Sequence, residues 1–309
     1  MPDLRDDGRR RLLMQTPQSD AEVQVPEPWL ELAASLDADG GTVMVVGGTD
    51  TGKTTLCWWL AERLAEDGRT GVVDADIGQS VLGPPGTVGW QMLDSGDVEF
   101  VFVGDITPSR RPLGTVAATV RACDRARAAG AAWLVLDTSG YVDGAGATAL
   151  KRAKLDLVEP TELVLIEDQE GRLEHIARAV RPGELRLHRL IACETNAKNL
   201  AFRRRWRQER FADYLAEAQV QPISLEGRAI YGGDPRKWRE RGSKFVDALQ
   251  GLLIGLSDAD GIGVAIGLLR GLGEGGEELL LLAPALDQER VASVSLGNVR
   301  LEPDGTAIG

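Results

Sequence analysis

Residues 47–55 read GGTDTGKTT, after the apolar run TVMVV (42–46) and before LCWWLAERLAEDG (56–68), whose apolar residues recur at helical spacing. The stretch fits G-x-x-x-x-G-K-[ST], with Gly47, Gly52, Lys53 and Thr54 in the fixed places. Glycines let backbone N–H groups converge on phosphate oxygens, and the following helix adds the positive end of its dipole. The loop formed by Gly47, Gly48, Thr49, Asp50, Thr51, Gly52, Lys53, Thr54 and Thr55 is therefore expected to hold a nucleotide triphosphate with Mg²⁺. Lys53 would reach the β- and γ-phosphates, and the Thr54 hydroxyl would ligate the metal. The plain alternative is a Gly-rich turn that happens to contain Lys-Thr; the strand before it and the helix after it favour the nucleotide. Nothing in the loop says what receives the phosphate.

Outward from the loop the chain alternates between apolar strands and amphipathic helices. TGVVDAD, VEFVFVG, AAWLVLD and TELVLIED read as strands, and LGTVAATVRACDRARAAG as a helix. IGQSVLGPPGTVGW (77–90) is so rich in Gly and Pro that neither regular element is expected there. Such alternation predicts an α/β fold, a P-loop NTPase with a mostly parallel sheet flanked by helices. After FRRRWRQERFADYLAEA (202–218), a predicted helix, the text turns to short strands and Gly turns, which read as a small C-terminal β domain. The expected organisation is a flexible lead and one helix over 1–40, a kinase domain over 41–217, and a β-rich domain over 218–309.

Composition bounds the rest. With 309 residues, 43% hydrophobic and 27% charged, the chain can bury a full core without staples. A net charge of −12 argues against broad coating of nucleic acid, though not against a local basic groove. Cys57, Cys123 and Cys193 are scattered and His175 and His188 lie far apart, so neither a disulfide framework nor a zinc site is expected. The start, MPDLRDDGRRRLLM, lacks a signal-peptide apolar region, and no run is long enough to span a bilayer. A cytoplasmic protein without membrane contact is the expectation.

Two further strand ends should lie beside the phosphate loop, because parallel strands expose their C-terminal ends on one edge. One carries Asp74, Asp76 and Gln79; the other carries Asp137, Thr138 and Tyr141. A hydrolase needs one acid near Mg²⁺, whereas a kinase needs a second to accept the proton of the attacking hydroxyl. Asp76 is the candidate base and Asp137, with Thr54, the metal-side acid. Asp74 or Asp137 could instead merely cap the turn that follows it, whereas Asp76 starts a loop with no obvious helix to cap. Residues 137–140, DTSG, also match the D-x-x-G of GTP-binding proteins, but the guanine-reading N-K-x-D is absent. The third element is the arginine-dense helix, with Arg203, Arg204, Arg205, Arg207 and Arg210. Arginine can neutralise a transferring phosphoryl group or, as proposed for Arg207, hold a nucleic-acid backbone. A solvated charged face is the bland reading.

Taken in order, GGTDTGKTTLC, DADIGQSVLGPPGTVG, FVGDITP, DTSGYVDGAGATAL, FRRRWRQERFADYL and the β-rich tail resemble the polynucleotide 5′-hydroxyl kinase family. Its members include the RNA kinase of the eukaryotic pre-messenger-RNA cleavage complex and a nucleolar relative. The resemblance runs from about Gly41 to the C-terminus. It implies that Lys53, Asp76 and Arg203 are catalytic, with Asp76 activating the 5′-hydroxyl, Gln79 following it, and Arg203 serving as a lid arginine. It also implies that Thr138, Gly140 and Tyr141 form a T-x-G-W clasp on the terminal nucleotide, and that Lys198 stands where a second lid arginine is usual. Tyr141 replaces the clasp tryptophan, Lys198 replaces an arginine, and about 40 residues cannot hold the large N-terminal domain of the eukaryotic members. The implied activity is ATP-dependent phosphorylation of the 5′-OH end of RNA or DNA. The competing expectation is a nucleotide-switch ATPase or GTPase that recruits a protein partner.

Overall fold

The computed structural model describes residues 25–36, 39–66, 68–180, 183, 185–192 and 200–308. Helix α1 (Glu27–Ser35) precedes β1 (Gly41–Gly47), and the phosphate loop leads into α2 (Lys53–Leu64). Then come β2 (Thr70–Ala75), β3 (Thr87–Met92), β4 (Val98–Phe102), α3 (Pro112–Ala128), β5 (Trp133–Thr138), α4 (Ala145–Val158), β6 (Glu162–Glu167), the short α5 (Glu174–Ala177) and β7 (Arg186–Ile191). These strands form one sheet in the order β4-β3-β2-β5-β1-β6-β7. From β2 to β7 neighbouring strands run parallel, while β3 and β4 are antiparallel additions at one edge.

The strand sequences explain why both faces are covered. In β1, Val43 and Val45 point to one face, where α2 contributes Leu56, Cys57, Leu60 and Leu64, and α1 adds Trp29 and Leu32. Met44 and Val46 point to the other, against Ala118, Ala122 and Cys123 of α3 and Leu155 and Val158 of α4. Strands buried on both faces are apolar through their middles, which is why β1, β5 and β6 carry the runs VMVV, WLVL and LVLI, while buried polar residues such as Asp137, Thr138, Glu162 and Glu167 stand at strand ends.

The stretch 77–90 departs from expectation at its end, because Thr87–Trp90 belongs to β3. The turns occupy only 77–86, with Gly83 and Gly86 at positive φ. Gly89 gives the strand a reason for its glycine: a Cβ there would collide with the backbone of Leu82. Pairing on both sides, with β2 and β4, outweighs the weak local propensity of TVGWQM.

The arginine-rich helix α6 (Leu200–Tyr214) leads to a second sheet built from β8 (Gln219–Ser224), β9 (Ala229–Tyr231), β10 (Leu252–Ser257), β11 (Gly263–Leu272), β12 (Glu278–Ala283), β13 (Ser293–Leu301) and β14 (Ala307–Ile308). Its order is β14-β13-β10-β11-β12-β8, with antiparallel neighbours, and β9 pairs in parallel with β13. A 3₁₀ turn (Pro235–Arg241) and helix α7 (Ser243–Ala248) sit between β9 and β10. The two sheets meet where Phe102 and Phe100 of β4 lie over Gly255 of β10 and Gly263 at the start of β11; a Cβ on either glycine would collide with the ring it faces. Phe100 and Phe102 also border the cluster of Phe211, Leu253, Ile266, Leu268 and Leu301, so α6 shares this joint.

Candidate active site

The strand order places β2, β5 and β1 side by side, and their C-terminal ends make the floor of the site. Registration of Asp74 with Asp137, and of Asp137 with Val45, sets both aspartates at one level beside the phosphate loop. The loop can turn so tightly because Gly52 adopts φ 86°, a left-handed conformation that suits glycine, and it begins α2 without any side-chain cap. Capping N–H groups are thus left for a ligand. Gly47 lies under the loop, where a Cβ would stand 2.6 Å from Thr51 Oγ1. Thr51 Oγ1 donates to the Gly48 carbonyl (3.0 Å), and Lys53 Nζ donates to the same carbonyl (2.5 Å). Thr54 Oγ1 donates to Asp137 Oδ2 at 2.6 Å, while buried Asp137 Oδ1 has no hydrogen-bond partner among the described residues. Burial raises the Asp137 carboxyl above its ordinary value, against the pull of Lys53 and the Thr54 hydrogen bond. An orphaned carboxylate oxygen beside a threonine hydroxyl is a donor set that suits Mg²⁺.

The three acids at this edge have different surroundings. Asp74 is buried and accepts from Val81 N (2.5 Å), Leu82 N (3.1 Å) and Asp76 N (3.0 Å), so it ties down the loop after β2. Burial and then the neighbouring charge of Asp137 push its carboxyl upward. Asp76 is half-buried, and its Oδ1 accepts from Gly78 N (3.2 Å) and Gln79 N (3.3 Å) in a tight turn. Gln79 is half-buried beside it.

Of the clasp candidates, Thr138 is fully buried; its hydroxyl donates to the Val45 carbonyl (2.7 Å) and accepts from Lys151 Nζ (2.8 Å). Gly140 is packed on the phosphate loop, with its absent Cβ 2.7 Å from Thr49 Oγ1 and 2.9 Å from Thr49 N. Tyr141 is half-buried, and its hydroxyl lies 2.8 Å from where a Cβ of Gly146 would be, along the first turn of α4. Gly140→Ala is therefore expected to press on the phosphate loop. Overpacking of this kind costs roughly 1–3 kcal/mol; borne by the loop in its nucleotide-holding form, that is a fall in affinity of roughly 5- to 150-fold. Titration with a fluorescent ATP analogue reads the change, and an unaltered affinity would remove this contact from nucleotide binding.

Helix α6 lies over the same edge. Arg203 donates to Asp50 Oδ2 of the phosphate loop at 2.7 Å, and its buried Nε has no hydrogen-bond partner among the described residues. Asp50 itself sits at φ 60°, an uncommon left-handed position for a residue with a side chain. Arg207 is partly buried; burial and the nearby Arg204 lower its pKa, and the charge of Asp76 opposes them. Arg210 fastens the helix by donating to the carbonyls of Val81 (3.0 Å) and Gly83 (3.2 Å). Lys198 lies outside the described residues.

Residues 47–217 match the family model described as the mRNA cleavage and polyadenylation factor CLP1 P-loop, which is more than half of the chain. The chain belongs to the CLP1 P-loop family. It is 28% identical to a polyribonucleotide 5′-hydroxyl-kinase of Pyrococcus furiosus, over 86% of this chain and 89% of that protein. It is 26% identical to one of Thermococcus kodakarensis, over 92% of this chain and 95% of that protein. A chain of the solved wild-type Clp1p–Pcf11p (454–563) complex shares the fold with a TM-score of 0.65 and 12% identity, over 88% of this chain and 77% of that one.

Two residues of this CLP1-family chain that sequence reasoning missed lie directly beneath the site. Lys151 and Lys154 of α4 are fully buried. Lys151 Nζ donates to Thr138 Oγ1 (2.8 Å) and to the Ser139 carbonyl (2.7 Å), so it holds the strand end from which the clasp departs. Burial pulls its pKa well down. Lys154 Nζ has no hydrogen-bond partner among the described residues, and burial lowers it from 10.5 to about 8 despite the opposing charges of Cys123, Asp76, Asp137 and Asp74. The signal was present in the sequence. Ala147, Leu150, Leu155 and Val158 mark the inward stripe of α4, and positions 151 and 154 fall on it.

Lys154 carries a stability prediction. Its proton is held less tightly in the folded chain than in the unfolded one, so the penalty is complete below about pH 8 and is relieved as pH rises toward 10.5. Lys154→Met should therefore stabilise the protein near neutral pH, by on the order of 3 kcal/mol, with the gain shrinking in alkaline buffer. Thermal melts of both proteins across that range test it; a destabilised variant at neutral pH would show that the ammonium is a net support of the acids above it.

Proposed function

We propose that this protein is an ATP-dependent polynucleotide 5′-hydroxyl kinase, which moves the γ-phosphoryl group of ATP to the 5′-OH end of RNA or DNA. The observation that carries the reading is the span of α6. Arg203 engages the phosphate loop at Asp50, and two turns later Arg210 donates to the Val81 and Gly83 carbonyls of the loop that follows Asp76, so one helix spans both the donor loop and the loop of the acid beside it. Similarity to the archaeal polyribonucleotide 5′-hydroxyl-kinases over most of the chain supports the same reaction.

The roles in the proposal are supported by the geometry of the described residues and, for Lys198, by the family resemblance alone. Loop 47–55 holds the triphosphate through its backbone N–H groups and Lys53, which must leave the Gly48 carbonyl to reach phosphate. Thr54 and the unpartnered oxygen of Asp137 would hold Mg²⁺. Mg²⁺ bound there supplies charge neutralisation at the donor phosphates. Asp76 is the base: two turn N–H groups fix one carboxylate oxygen, and the other accepts the proton of the incoming 5′-hydroxyl. Arg203 stabilises charge on the group in transfer. Gln79, Gly140, Tyr141, Lys198 and Arg207 contact the acceptor strand, with Tyr141 offering a ring face to the terminal base. Thr138 joins this set by shaping the strand end from below, since its hydroxyl is spent within the protein.

The division at about residue 217 between a kinase domain and a β-rich domain belongs to the same proposal, supported by the separate cores of the two sheets. So does a cytoplasmic setting. Cys57 and Cys123 are free thiols, and no helix among the described residues is long and apolar enough to cross a membrane. The deciding assay is incubation with γ-labelled ATP and matched 5′-hydroxyl RNA and DNA oligonucleotides. Label should pass to the oligonucleotide. Release of inorganic phosphate alone would overturn the kinase and favour the nucleotide switch.

A further inference from the structure

The second sheet carries a pocket that phosphoryl transfer does not use. Its volume is about 730 Å³, and its walls are the 3₁₀ turn and α7 on one side and Leu296–Asn298 of β13 on the other. The lining segment 234–244 reads DPRKWRERGSK, five cations against two carboxylates, in a chain whose net charge is −12. Arg236 is answered by Asp234 at 3.6 Å and Glu277 at 4.0 Å. Lys237 has no ion-pair partner among the described residues, and it faces the pocket. The Arg241 guanidinium lies 3.7 Å from the centroid of the Phe245 ring, and Trp238 packs edge-on against the same ring at 6.4 Å.

Cations alternating with aromatic faces are the means by which proteins hold single-stranded nucleic acid without reading its sequence: charge meets phosphate and rings meet bases. The position also suits a strand that begins at Asp76. Asn298 N donates to the Gly104 carbonyl at 2.7 Å, and Arg111 donates to Leu296 O (2.7 Å) and Asn298 Oδ1 (2.8 Å). The loop after Gly104 abuts the Asp76 turn, for a Cβ on Gly78 would lie 2.8 Å from the Ile106 carbonyl. One loop therefore separates the pocket wall from the acceptor-side acid.

We propose that the pocket of Lys237, Arg241, Phe245 and Asn298 binds the polynucleotide substrate a few nucleotides downstream of its 5′ end, through a phosphate at Lys237 and a base stacked on the Arg241 guanidinium, which the Phe245 ring backs from the other side. The proposal rests on the kinase reading and adds a second point of grip to it. It makes the enzyme favour long acceptors over short ones.

The test compares the full chain with its Lys237→Glu/Arg241→Glu variant on a 5′-hydroxyl dinucleotide and on an oligonucleotide of roughly 12 residues, within the usual span of such sites. The ratio of kcat/KM for the longer to the shorter acceptor should fall about tenfold or more. The salt slope of oligonucleotide binding, followed by fluorescence anisotropy, should shallow by about 0.7, the share of one phosphate contact on a single strand. Lys237→Gln/Arg241→Gln should give smaller changes in the same direction, and serves if charge reversal disturbs folding. An unchanged ratio and slope in folded variants would overturn the pocket and leave the kinase standing; an acidic protein segment would then be the better occupant. If the unaltered chain transfers no label to either acceptor, the kinase reading fails, and the anisotropy series still decides whether the pocket binds the strand.

Discussion

Arg203→Ala should lower kcat by ~10³-fold or more while shifting the KM of the oligonucleotide little, as losses of arginine fingers do. The side chain is mostly shielded from solvent, grips Asp50 of the phosphate loop at 2.7 Å, and keeps a buried Nε without a hydrogen-bond partner among the described residues. A guanidinium so placed has a donor in reserve next to the loop that holds the donor phosphates. Charge alone is not enough for the role, because the planar fork fixes the direction of its N–H groups. Arg203→Lys should therefore recover only part of the loss. Steady-state kinetics with labelled ATP on the three proteins separates the possibilities. A change confined to KM would make the helix a clamp on the strand and remove Arg203 from the transition state.

Asp76→Asn is expected to cost ~10²–10⁴-fold in turnover, the contribution of a positioned base, with ATP affinity preserved. Asparagine retains a carbonyl oxygen that can accept from Gly78 N and Gln79 N, so the turn should persist and only the proton acceptor is lost. Asp137→Asn should behave differently. It sits against Thr54 and its damage should recede as Mg²⁺ is raised. If saturating Mg²⁺ leaves Asp137→Asn the slower enzyme and Asp76→Asn nearly normal, the base and the metal-side acid are exchanged.

Much of this site was legible before any coordinates. The phosphate loop, the acidic strand ends and the arginine helix announce themselves because each is local: glycines at fixed offsets, an aspartate where an apolar run stops, a dense charge run. Strands β1, β5 and β6 were equally plain, since burial on both faces keeps their central positions apolar and confines polar residues to their ends. What escaped was set by distance in the fold. No spacing rule links Asp50 to Arg203, which lie far apart along the chain and meet only because α6 crosses the sheet edge. Asp74 and Asp76 look alike in the text, yet one is buried as an anchor for the loop to Leu82 and the other is half-buried, with one oxygen held by its own turn. Strand β3 was hidden by the Gly and Pro turns that precede it. Lys151 and Lys154 were passed over because lysine is normally a surface residue, although the stripe they occupy is apolar on every side.

The joint between the sheets limits what can be cut away. Ending the chain near residue 217 would keep the phosphate loop, the acids and α6, all that the chemistry names. It would also strip Gly255 and Gly263 from the rings of Phe102 and Phe100, and leave Phe211 without Ile266, Leu268 and Leu301. Since β4 is the outermost strand of the first sheet, those bared rings would flank an open row of peptide groups, the kind of border that recruits other copies of itself. A miniature of this protein therefore has to keep the second sheet, which roofs two phenylalanines of the first.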